Sequence, residues 1–147
     1  MPLLSSPLRR CIPLVLGILV LVAACGPPGN QMAADDAALV NQLRVNNGLG
    51  ALPRSYELDL KAQSQAQAMA NAGTIFHSPS LVSGVSPGWQ LIGENVAMAG
   101  SIAQAEAALE ASPPHRENLL NPYFTEMGIG AVQAGNLVFV AQVFVQR

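Results

Sequence analysis

The chain has 147 residues but only two cysteines, one lysine, one tryptophan and two histidines, and each scarcity excludes something. With Lys61 as its single lysine, and seven basic against nine acidic side chains in all, its formal charge is −2. Nucleic-acid binding needs a cluster of cations to displace counterions from phosphates, so nucleic acid is excluded as a partner. Adhesion to anionic lipid through a basic patch is excluded on the same ground. Both cysteines, Cys11 and Cys25, lie in the first 25 residues, so a domain following them has neither a disulfide nor a free thiol. Charged residues make up 11% and apolar ones 50%, with a mean hydropathy of +0.33, which is too apolar for a disordered chain. The length suits one domain, and its last 110 or so residues are enough to bury a core without covalent staples.

The apolar excess is concentrated in residues 12–24, IPLVLGILVLVAA, which follow a start carrying Arg9 and Arg10 and no acid. A membrane-spanning helix needs about 20 apolar residues, whereas the apolar region of an export signal has about 7–15. The segment ends Val22-Ala23-Ala24-Cys25, which resembles a bacterial lipobox, where cleavage precedes a cysteine that receives diacylglycerol. The expectation is a signal peptide over 1–24, a lipidated Cys25 with a short linker over 25–33, and a domain over 34–147. Two acyl chains give stable anchoring where one is marginal. The alternative is an ordinary signal peptide with an incidental cysteine. Without residues 1–24, five basic face nine acidic side chains, a charge of −4.

Residues 26–31, GPPGNQ, read as a Pro/Gly tether. Asp35-Asp36 is expected to open a helix with acids at its positive end, with Ala38, Leu39, Leu43 and Val45 on its apolar face and Asn46-Asn47-Gly48 ending it. Ser55 caps a second helix carrying Leu58, Ala62, Ala66, Met69 and Ala72 at helical spacing, and Gly73 stops it. Residues 74–91 read as loop anchored by Trp89, and 92–98 as either a short helix or a strand. Ser101 and Gln104 have capping-box spacing for a helix to about Ala111, and Ser112-Pro113 starts a further short helix with proline at its tolerated first position. Residues 127–133 and 137–146 form two strands joined by an Ala-Gly-Asn turn. Helices first and a strand pair last make an α+β domain without internal repeats.

The candidates for chemistry are few. His77 and His115 each sit at an abrupt junction, in Phe76-His77-Ser78-Pro79 and Pro114-His115-Arg116, and Glu94 stands between Gly93 and Asn95 in an apolar stretch. A carboxylate placed so is either partly buried with partners or facing a cleft, because isolated buried charge is expensive. Two histidines and a carboxylate suffice for a divalent metal with an open position. From spacing alone that signal is weak, and structural hydrogen bonding is the favoured reading. Ser112, His115 and Glu94 contain the side chains of a hydrolase triad, but no strand-turn nucleophile motif surrounds Ser112, and a helix-cap role accounts for it. Asn41, Asn95 and Asn118 read as loop-bonding residues, Arg44 and Arg54 as surface ion-pair formers, and Met69, Met98 and Met127 as core or cleft lining.

Taken together these segments resemble the CAP superfamily of cysteine-rich secretory, antigen 5 and pathogenesis-related-1 proteins, whose domain is also called SCP. Leu39-Val40-Asn41-Gln42-Leu43-Arg44 resembles its opening helix. Phe76-His77-Ser78, Ile92-Gly93-Glu94-Asn95-Val96, Ser112-Pro113-Pro114-His115-Arg116-Glu117-Asn118-Leu119-Leu120 and Phe124-Thr125-Glu126-Met127-Gly128-Ile129-Gly130 follow in the family's order. The likeness covers about 34–147 and is to the short bacterial branch without disulfides. It implies a three-layer α-β-α sandwich with a small antiparallel sheet that includes the two C-terminal strands. It also implies a cleft lined by His77, Glu94, Ser112 and His115. Ser112 stands where many eukaryotic members have a second glutamate, and Leu109 where a tryptophan is common. That loss weakens an acid/base mechanism more than a two-histidine metal site.

The function expected is that of an exported, lipid-anchored, monomeric module in the bacterial cell envelope. Its cleft would bind a divalent cation, zinc foremost, through His77 and His115, with a lipid or cell-wall ligand as further partner. Alternatives are a metal-dependent hydrolase with Glu94 as catalytic base, and a surface interaction module whose cleft is vestigial. Fold alone does not choose among them.

Overall fold

Eight consecutive residues near the C-terminus, from Val138 to Val145, are buried, and their alternation organises the whole domain. In the computed structural model, which describes residues 28–147, this run forms the central strand of a three-stranded antiparallel sheet. The strands are β1 (Leu91–Ala99), β2 (Glu126–Ala134) and β3 (Leu137–Gln146), in the order β1-β3-β2. Side chains of a strand point alternately to its two faces. Phe139, Ala141, Val143 and Val145 accordingly join one apolar cluster, and Val138, Val140 and Phe144 another. Gln142 lies on the second face, fully buried.

Helix α1 (Pro28–Asn46), α3 (Ile102–Ala111) and α4 (Pro113–Leu119) cover that second face, and α2 (Tyr56–Ala72) covers the first. This is the expected α-β-α sandwich. On α2, Leu58, Ala62, Ala66 and Met69 are buried as their spacing requires, and Gly73 ends the helix with φ 67°. Helix and sheet touch backbone to backbone. A Cβ on Gly128 would come within 2.1 Å of Leu58, and one on Gly130 within 2.2 Å of Ala62. The approach lets α2 blunt an otherwise open sheet edge. Asp59 Oδ1 accepts from Ile129 N at 2.9 Å, and Gln63 Oε1 from Ala131 N at 3.1 Å. Residues 53–55 complete the cover through Met127 N to Pro53 O and Ser55 N to Met127 O.

Several local expectations are corrected. Helix α1 begins at Pro28, inside the segment read as a tether, and Asp36 lies mid-helix and fully buried rather than in the first turn. Its buried stripe is Ala33, Asp36, Ala37, Val40 and Arg44, while Ala38, Leu39 and Val45 are exposed. The two charged members of the stripe hid its period. Arg44 is not a surface pair former: its guanidinium donates to the carbonyls of Gly50, Leu119 and Asn121 at 2.9–3.0 Å. Arg54 does pair at the surface, with Asp59 at 2.9 Å. Residues 92–98 resolve as strand. Ser101 caps α3 through Gln104 N, but Ser112 makes no side-chain cap bond. Met69 and Met127 are core, whereas Met98 is 39% exposed. The segment expected to be a signal peptide, with Cys11, and the expected lipidation site Cys25 lie outside the described residues.

Candidate functional site

At the β1 edge, the loop after α2 meets α4 from the opposite layer, and Gly93-Glu94-Asn95 supplies the junction. Each of the three has a separate task. Gly93 makes room, since a Cβ there would sit 2.8 Å from Asn118 Oδ1 and 3.0 Å from the Phe124 ring. Asn95, fully buried, donates from Nδ2 to His115 O at 3.1 Å and Gln142 Oε1 at 3.2 Å, and accepts from Asn118 Nδ2 at 2.9 Å. Those bonds hold α4 against the strand. Glu94 points to the other face, where Val96 and Ile92 also lie.

The Glu94 side chain is only 3% exposed, and it collects three donors. Oε1 accepts from His77 Nδ1 at 2.9 Å and from Ser78 N at 2.8 Å, while Oε2 accepts from Ser78 Oγ. Because a carboxylate only accepts, His77 Nδ1 carries the hydrogen in this pair. When the ring is neutral its lone pair is therefore on Nε2, and the side chain is 61% exposed. Ser78 Oγ also lies 3.2 Å from Gln65 Oε1 on α2. Gln65 in turn donates to Phe76 O, which fixes the turn carrying His77.

His115 stands in the first turn of α4, partly buried. Burial, and then the charge of His77, hold its imidazole below the usual histidine pKa. Ser112 is one turn away, at the α3–α4 junction, and engages neither His115 nor Glu94 among the described hydrogen bonds; its backbone accepts from Arg116 N at 2.9 Å. The sequence-expected residues therefore divide into His77 bonded to Glu94, His115 tied to the same strand only through its carbonyl and Asn95, and Ser112 bonded to none of them. Among the described residues, no three histidine, cysteine or acidic side chains gather as a metal-holding group. Both oxygens of Glu94 accept hydrogen bonds, from His77 and Ser78. A groove of about 690 Å³, lined by Tyr56, Leu60, Gln65, Ser78 and Pro79 among others, abuts the residues that hold Glu94.

Sequence reasoning missed one polar cluster altogether. Asp36, Glu106 and Gln142 are buried together on the α1/α3 side, with Gln142 Nε2 2.7 Å from an oxygen of each acid. The available signal was an acid at a stripe position in each of two alanine-rich helices.

The sequence model described as CAP, cysteine-rich secretory protein family, matches residues 37–147. Among solved structures, an extracellular SCP-domain protein of Bacillus anthracis str. Ames is 27% identical with a TM-score of 0.71, over 81% of this chain and 41% of that one. An outer surface protein of Borrelia burgdorferi is 20% identical with a TM-score of 0.68, over 80% and 93%. A cysteine-rich secretory protein of Staphylococcus aureus is 18% identical with a TM-score of 0.69, over 82% and 40%. The chain thus spans about two fifths of the Bacillus and Staphylococcus proteins and nearly all of the Borrelia one. No curated protein matches it.

Proposed function

The chain belongs to the cysteine-rich secretory protein (CAP) family, and from that premise we propose that it is an exported, envelope-anchored binding module whose rim histidines take a divalent cation. The observation that carries this reading is the bond from His77 Nδ1 to the buried carboxylate of Glu94 at 2.9 Å, which leaves Nε2 bare and exposed. Metal-ligating histidines characteristically donate their second nitrogen to such a carboxylate, which orients the ring and raises its basicity. His115 supplies the second lone pair and, with its depressed pKa, keeps it to lower pH than an ordinary histidine. Zinc suits two imidazoles best, with solvent or a ligand filling the remaining positions. The adjoining groove of about 690 Å³ is the place for a lipid or cell-wall group. Cys25 would tether the module to the membrane, and among the described residues no helix is long and apolar enough to cross one.

Both oxygens of Glu94 already accept hydrogen bonds, so a hydrolase using Glu94 as base is less well supported than binding. Zinc titration of the full-length chain by calorimetry at pH 7.5 tests the reading. Wild type should bind one ion, and His77→Ala or His115→Ala should abolish binding. Lowering the pH to 5.5 should weaken wild-type binding, because protons compete for both rings. Unchanged binding in His77→Ala, or none in wild type, would overturn the proposal. Anchoring is checked separately by the mass of residue 25 in the mature protein, where an unmodified cysteine would refute it.

A further inference from the structure

We propose that Asp36 and Glu106 form a proton-binding site: the two buried carboxyls share one proton, and that proton keeps α1 latched to α3. Asp36 is 0% exposed and Glu106 2%. Each accepts at 2.7 Å from the same nitrogen, Gln142 Nε2. That nitrogen has two hydrogens, so it is fully spent. Asp36 Oδ1 and Glu106 Oε1 are left buried without a donor. Two anions sharing one neutral amide in the interior would repel each other, with only that amide and the charge of Arg54 to offset the cost.

The surrounding charges offer no replacement for the proton. On α1, Asp35 is exposed and bonded to Gln31, and Arg44 is committed to three backbone carbonyls. On α3, Glu110 adds negative charge, and Arg116 of α4 lies 4.0 Å from that residue. Arg54 reaches Asp36 by charge alone and is paired with Asp59 of α2. On β2, Glu126 is bonded to Arg147. Strands β1 and β3 present only the amides of Asn95 and Gln142. With one proton on the pair, the carboxylic acid donates to the carboxylate and the repulsion disappears. Burial pushes Asp36 up to about 6, and burial together with the Asp36 charge pushes Glu106 up to about 8.

The site has an exit and a connection. A groove of about 390 Å³ lined by Leu39, Ala103, Glu106, Glu110 and Arg116 gives the proton a way to solvent. Inward, the acids fix which way the Gln142 amide faces, and its Oε1 accepts from Asn95, which also holds His115 O. Loss of the proton is therefore felt at α4 as well as between α1 and α3.

The folded pair holds its proton to higher pH than the unfolded chain does, so stability falls as pH rises from the ordinary carboxylate range towards about 8 and levels off above it. Between pH 7 and 8, His115, whose pKa is depressed, adds little slope. Urea unfolding of the full-length chain, together with ¹³C carboxyl shifts, tests the site. The wild-type folding constant should drop severalfold, and at most about tenfold, from pH 7 to 8. Glu106→Gln, whose amide donates as the acid would, should remove that drop, and one carboxyl of the wild-type pair should be protonated at pH 6.5. Two ionised carboxyls at pH 6.5, no drop in wild type, or an equal drop in Glu106→Gln would overturn the proposal. If the variant does not fold, the wild-type shifts decide alone.

Discussion

Two sets of buried acids lie in this domain, one at the β1 rim and one under α1 and α3, and they differ in their supply of donors. Glu94 has a backbone N–H, a hydroxyl and an imidazole N–H for its two oxygens. Asp36 and Glu106 have the two hydrogens of one amide for four oxygens. A buried acid with donors enough can serve as a fixed acceptor and position a histidine. A pair without them has to take up a proton instead, which makes it responsive to pH. Donor count, rather than depth of burial, separates the two.

The comparison breaks most severely at Gln142. Gln142→Leu strips both acids of their donor and Asn95 of one of its three partners, and should cost about 3 kcal/mol or more, read as a shift of the urea midpoint. Glu94→Ala leaves three rim donors facing an empty space and should cost about 2 kcal/mol. Zinc affinity in that variant should fall by about 10–100-fold as the His77 ring loses its orientation. Equal zinc binding by Glu94→Ala and wild type would mean that the carboxylate does not position the ring. Gly93→Ala pushes a methyl towards Asn118 and Phe124 and should cost about 1–3 kcal/mol without touching either acid set directly. Ser112→Ala should change stability by less than about 0.5 kcal/mol and leave zinc binding intact, since its side chain caps nothing. A larger loss would give Ser112 a role in the cleft.

How legible each region was follows from the range of the interactions involved. The capping of α3 by Ser101, the stop of α2 at Gly73 and the hairpin around Gly135 are written in neighbouring residues, and those elements came out where the sequence put them. The rim residues His77, Glu94 and His115 were legible as candidates because each interrupts an apolar or turn-forming stretch. Their bonding was not, because the partners of Glu94 lie 16 and 17 residues back along the chain. Helix α1 was misread on its buried face because Asp36 and Arg44 occupy stripe positions that hydrophobic periodicity treats as solvent.

By itself, then, the sequence determined the order and kind of most elements, the lack of cysteine in the domain and the family to which the domain belongs. These depend on composition, local spacing and short motifs. Only the tertiary structure decided which charges are buried and what each one meets. Gln142 reaches Asp36 across 106 positions of chain and Glu106 across 36, and no local pattern records that meeting. A charge on an alanine-rich helix reads the same whether it faces water or another acid, and packing alone settles how many donors it finds.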